Sequence, residues 1–196
     1  VDNVSTSLAS LGLDVDANST VSSLSVAHTT PVSIASGKTL SGAITVTAGS
    51  IKLGETGTLA STVTMSGGTL DADETHTVSG ALTQSGNITM DVATGKTLTY
   101  SGAALSLGGN TLTMSGEGTF SNTNALDLNN VSSKLLLSSS ITVGSVSTSA
   151  DSSGLDVNDD STVSSLTVGH ITPVSIASGK TLSGAITLTA GSIKLG

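Results

Sequence analysis

Apolar residues along this chain come in pairs one residue apart, and the pairs return every 19 to 23 residues. The clearest unit is 40–58, LSGAITVTAGSIKLGETGT. It has one apolar residue, Leu40, then two alternating runs, Ile44-x-Val46 and Ile51-x-Leu53, and closes on ETGT. Period-two alternation sends Ile44, Val46, Ile51 and Leu53 to one side of the backbone, and Thr45 and Lys52 to the other. Turn formers such as Ala48-Gly49-Ser50 separate the runs. No 3.6-residue period is sustained, β-branched residues abound and Gly recurs every few positions, so the pattern excludes helix.

Cutting after each Thr that precedes an apolar residue gives 1–20, 21–39, 40–58, 59–77, 78–97, 98–119, 120–142, 143–162, 163–181 and 182–196. The stacked units share an opening column: Val1, Val21, Leu40, Leu59, Val78, Leu98, Phe120, Val143, Val163 and Leu182. A first pair follows (Ile44/Val46, Val63/Met65, Leu82/Gln84), then a last pair (Ile51/Leu53, Leu70/Ala72, Ile88/Met90). A longer period encloses these units: residues 1–54 align without a gap on 143–196 and match at 42 of 54 positions, an offset of 142 residues or seven units.

Short strands at this spacing predict an all-β, right-handed parallel β-helix, or β-solenoid, of about ten coils of 19–23 residues with three short strands per coil. The chain reads as one continuous solenoid over 1–196. Residues 1–142 form one full long repeat of seven coils, and 143–196 begin the next. The expectation is a tandem array that continues past both ends. Thr20, Thr39, Thr58, Thr77, Thr97, Thr119, Thr142, Thr162 and Thr181 close successive units and are expected to stack as a hydroxyl ladder at one corner.

Composition narrows the function classes. A polar, Gly-rich chain could be a disordered linker, but a linker has no reason to space Ile, Val and Leu so evenly. Net charge is −8 and the basic residues number six, all Lys, so the footprint of a nucleic-acid binder is missing. No apolar run approaches the length of a membrane span, so this segment is expected not to insert into a membrane. Cysteine is absent, which removes disulfides and thiolate metal sites and suits an extracellular protein.

The coil length, the SGxxTxxxGxxxL pattern of Ser41, Gly42, Thr45, Gly49 and Leu53, and the scarcity of Cys and aromatics carry a resemblance. The chain resembles secreted bacterial parallel β-helix repeat proteins, of the kind found in filamentous-haemagglutinin-like adhesins and autotransporter passenger domains. The resemblance implies cell-surface or secreted placement and a role in adhesion, matrix or a stalk. It carries over no catalytic residue.

Function is sought where the pattern breaks. Coils 98–119 and 120–142 are the longest, and hold the lone Tyr100 and lone Phe120. With Asn122 and Asn124, these residues form a candidate contact patch recurring once per long repeat. At coil spacings of about 4.8 Å, such patches lie about 34 Å apart along the axis. The alternative is a local bulge whose aromatics fill a widened corner. Asp73 and Asp91 are expected in one outward column of adjacent coils, with Asp71 close by and Lys52 beside it. Such carboxylates could bind Ca²⁺ opportunistically or, remotely, act as a glycosidase pair; the plainer reading is solvated acids relieved by Lys52. The acidic turn 156–160 reads the same way.

His28 and His170 lie one long repeat apart, and His76 stands alone near Glu74, so no convergent metal site is expected. The Gly-Lys-Thr triplets at 37–39, 95–97 and 179–181 resemble a phosphate loop only locally, because the leading Gly and following helix are missing; they read as turns. Thr45/Thr47 and Thr62/Thr64 hint at an ice-binding face whose columns are not kept up in later coils. Asn3, Asn18, Asn87 and Asn130 stand in N-x-S/T triplets.

The expected function is structural: a segment of a long extracellular tandem-repeat filament, stalk or sheath, without enzymatic activity or cofactor. It would associate with itself end to end and laterally. The alternatives are an adhesin shaft presenting loops to a receptor or glycan and, remotely, a polysaccharide-acting β-helix enzyme.

Overall fold

The computed structural model describes residues 3–5, 12–29, 31–54 and 58–196. These residues form a parallel β-solenoid with no helix. Two sheets run along it, and every strand pairing is parallel. The second sheet collects the last-pair strands from Leu13–Val15 to Ser192–Leu195, ten in all, which span nine turns.

The first sheet collects the opening station and the first pair. In the regular coils these two stations share one eight-residue strand, Thr39–Val46 and then Thr58–Met65. In the latter, alternation never breaks: Leu59, Ser61, Val63 and Met65 are buried while Ala60 and Thr62 are exposed. The stations separate into His76–Val78 and Leu82–Gln84 at unchanged spacing, and into Thr119–Asn122 and Leu126–Leu128 where the connection lengthens. In coil 98–119 the first pair shrinks to an isolated bridge between Ser106 and Asp127. Among the described residues the stations recur from coil to coil, as two strands or three.

The core is one continuous cluster of mostly aliphatic side chains enclosed by the sheets. Leu40, Ile44, Val46, Ile51 and Leu53 are 0–2% exposed. Each contributes about 1.5–3 kcal/mol by leaving water. The long repeat is reproduced in conformation as well as in sequence. A bulge at Val21/Ser23 recurs at Val163/Ser165, and His28 and His170 both take positive φ, 64° and 57°. Gly42 and Gly184 receive these bulges at φ 122° and 125°; a Cβ on Gly42 would stand 1.9 Å from the Val21 carbonyl oxygen.

Several expected columns are corrected by the register. Val21 lies beside Gly42 and not Leu40: the step from Val21 to Leu24 is one residue shorter than that from Leu40 to Ile44, and a bulge between Val21 and Ser23 shifts the register. Val163 likewise meets Gly184 and not Leu182. Leu98 stacks on His76, and Tyr100 on Val78. On the second sheet Leu70 meets Met90 and not Ile88. The Thr ladder is therefore two separate runs, Thr39–Thr58–Thr77 and Thr97–Thr119–Thr142–Thr162, with Thr20, Thr99 and Ser183 interleaved where the register slips. Val1 and the turn residues 55–57 lie outside the described residues.

Candidate functional site

The acidic step sits on the outward side of the second sheet. Asp91 is in register with Asp71, not with Asp73 as expected; Asp73 falls just past its strand, in the following turn. Lys52 pairs with Asp71 across the ladder, and its Nζ lies 3.3 Å from Asp71 Oδ2 and 3.4 Å from Asp73 Oδ2. Asp91 accepts a hydrogen bond from the Ser115 hydroxyl in the next coil. Burial pushes the Asp71 carboxyl above its ordinary value; the hydrogen bond from Lys52 opposes this, and the charges of Asp73 and Asp91 add to it. Asp71, as hydrogen-bond partner and as charge, raises the Lys52 ammonium. Each of the three carboxylates thus has a protein partner, in a ladder that joins successive coils. Among the described residues no group of three His, Asp or Glu side chains is placed to hold a metal ion.

Other charges follow the same plan. Lys96 pairs with Glu74, Lys134 with Asp156 at 2.5 Å and Lys180 with Asp159 at 2.6 Å, each joining neighbouring coils. Lys180 holds the exposed Asp159 carboxyl below its ordinary value. The next residue, Asp160, accepts the Thr181 N–H at 2.8 Å; in the other copy Asn18 accepts the Thr39 N–H at 3.0 Å. At the Gly-Lys-Thr triplets the Lys N–H closes a turn onto Ala35, Ala93 or Ala177, and the Gly takes positive φ each time.

The expected contact patch divides into interior and surface. Tyr100 is 2% and Phe120 1% exposed, so neither ring reaches the surface. Both rings lie in the core, Phe120 stacked in the ladder between Leu98 and Val143. The Tyr100 hydroxyl accepts the Leu82 N–H at 3.1 Å, while Gly102 leaves room for the phenol. Asn122 and Asn124 remain nearer solvent, but their amides bond inward. Asn122 takes the Ser145 N–H at 2.9 Å and donates to the Ser145 carbonyl at 2.8 Å, as a paired peptide would. Asn124 donates to the Gly102 carbonyl at 3.0 Å. A Cβ at Gly144 would stand 1.8 Å from Asn122 Oδ1, so this clamp requires Gly there. The sequence signal for it is that Gly144 replaces Asp2 of the other copy.

Two polar residues enter the core. His76, 1% exposed, donates from Nδ1 to the Gly54 carbonyl at 3.0 Å, and its Nε2 has no partner. Burial lowers its basicity, partly offset by the Gly54 carbonyl. The alternation His76-x-Val78 was the available sign that this ring points inward. Gln84, 4% exposed, donates to the Thr111 carbonyl at 2.8 Å and leaves Oε1 without a partner.

The sheet faces differ in charge. Among the described residues, strands of the second sheet carry Asp14, Lys52, Asp71, Asp91, Lys134, Asp156 and Lys194; strands of the first carry Asp127 alone. The outward columns of the first sheet are small and hydroxylated. Ser25, Thr45, Thr64 and Thr83 stack in register. Compared with protein-family models, with curated proteins and with solved structures, the chain matches none.

Proposed function

We propose that this chain is a structural protein, a segment of an extracellular filament, stalk or sheath whose mechanics come from stacked coils. The supporting observation is the long repeat, kept in sequence and in conformation. Residues 182–196 repeat 40–54 with one change, Leu188 for Val46. The bulge at Val21/Ser23 returns seven coils later at Val163/Ser165, so like coils add along one axis in parallel register. The polar residues that broke the pattern serve the same end, since their hydrogen bonds and ion pairs join one coil to the next. The absence of cysteine and the hydroxyl-rich surface accord with placement outside the cell.

Electron microscopy of concentrated chain tests this. The expected result is end-to-end rods with an axial periodicity of about 34 Å, seven coils at about 4.8 Å. Separate particles one chain long at every concentration would overturn the filament reading.

A further inference from the structure

The charge difference between the sheets assigns a partner to one of them. We propose that the outward face of the first sheet is a lateral docking surface for a second copy of this chain; the inference rests on the filament reading and specifies how filaments associate sideways. Each copy carries a net charge of −8, so copies repel unless they meet where charge is absent. The strands of the first sheet supply that surface. Their single acid among the described residues, Asp127, is already bonded by the hydroxyls of Ser147 at 3.4 Å and Ser149 at 2.6 Å.

The face is also complementary to itself. A hydroxyl both donates and accepts, so columns such as Ser25–Thr45–Thr64–Thr83 can pair with the same columns of a two-fold-related copy. The second sheet's mixed charges give no such match unless Lys falls opposite acid. Ser23, Ala43 and Thr62, beside that column, are small and exposed, which leaves the face shallow. Ten coils at about 4.8 Å, crossed by strands up to about 25 Å long, offer about 1,000 Å² per partner, against about 800 Å² in a standard interface. Other occupants fit less well. A sugar platform requires exposed aromatics, and Tyr100 and Phe120 are both buried. Among the described residues of these strands an acidic peptide finds no Lys, and a basic one finds only Asp127, already bonded by Ser147 and Ser149.

The test is sedimentation velocity on the purified chain at rising concentration, with circular dichroism confirming the β-fold of every variant. The expected result is side-by-side dimerisation that the double substitution Thr45→Lys, Thr64→Lys weakens at least tenfold, and that Thr113→Lys on the second sheet leaves unchanged. A second measurement uses the absence of native cysteine. Thr64→Cys is expected to cross-link between copies with a short bis-maleimide, and Thr113→Cys is not. If the double Lys variant fails to fold, this cross-linking pair decides. Equal dimerisation of both Lys variants, equal cross-linking at both sites, a chain that stays monomeric, or binding to an insoluble polysaccharide by a chain that does not pair would each overturn the proposal. Single rods that never pair sideways overturn this inference alone, whereas face-dependent pairs that never form rods overturn only the filament reading.

Discussion

Coils 40–58 and 59–77 are joined by an unbroken main-chain ladder, whereas around coils 98–119 and 120–142 the ladders to the neighbouring coils are interrupted and side chains fill the gaps. In the first region eight consecutive positions, from Thr39↔Thr58 to Val46↔Met65, lie in one parallel ladder. In the second, the ladder from Thr119–Asn122 to the strand above covers only Thr119↔Thr142 and Phe120↔Val143 before the chain diverges. There the Asn122 amide supplies the missing donor and acceptor to Ser145, and the Tyr100 hydroxyl takes the Leu82 N–H. A solenoid therefore tolerates extra residues in a coil when a side chain replaces the peptide groups that leave the ladder. The cost moves from backbone regularity, which any β-former supplies, to particular residues that few substitutes can match.

The largest predicted effect breaks the regular region. Ile44→Asp places an unpaired charge in a core one side chain deep and is expected to cost about 4 kcal/mol in urea unfolding. Next come the irregular coils. Asn122→Ala leaves the Ser145 N–H and carbonyl unmatched and is expected to cost about 2–3 kcal/mol by the same measurement. Gly144→Ala should approach that loss by pushing the amide away; if it does not, the clamp is misassigned. Tyr100→Phe removes one acceptor from Leu82 and keeps the ring, for a loss of about 1–2 kcal/mol.

The His76 effect is smaller and depends on pH. Because burial lowers its pKa, the unfolded chain takes up a proton below about pH 6.5 that the folded core refuses. Stability contributed by neutral His76 is full above that pH and is lost as pH falls. Between pH 7.5 and 5.5 the wild type should lose about 1 kcal/mol more than His76→Gln. Asp71, whose pKa is raised, acts with the opposite sign at lower pH, being easier to protonate when folded. The smallest effect is Thr45→Asp, one residue from Ile44 and outward, expected within about 0.5 kcal/mol of wild type. Equal losses at 44 and 45 would erase the distinction between core and face.

Alternation made the fold legible, and it also set the limit. It fixed which side of each strand is buried, and Ile44, Val63, Leu82, Ile51 and Leu70 lie on the inner side as the pattern requires. Yet each register error is a slip of two residues: Val21 beside Gly42, Leu98 beside His76, Asp91 beside Asp71. A slip of one would turn every side chain over, but a slip of two leaves inside and outside unchanged. Spacing alone cannot see it. The candidate site suffered most, because a shift of two replaced Asp73 with Asp71 opposite Asp91. The Asn122 clamp was hidden for a related reason. An amide that imitates a peptide leaves no mark in an apolar pattern, and only the glycine above it, Gly144, gives it away.

One consequence of the layered stack concerns force. Each coil is a complete layer, bonded to its neighbours above and below. Tension along the axis would peel layers one at a time rather than rupture the whole rod at once. Each detached coil of about twenty residues would release about 65 Å of extended chain while shortening the rod by about 5 Å. The force trace would be a sawtooth of nearly equal steps, modulated by the clamps at Tyr100 and Asn122. Such a rod absorbs work in instalments, yielding length gradually under load.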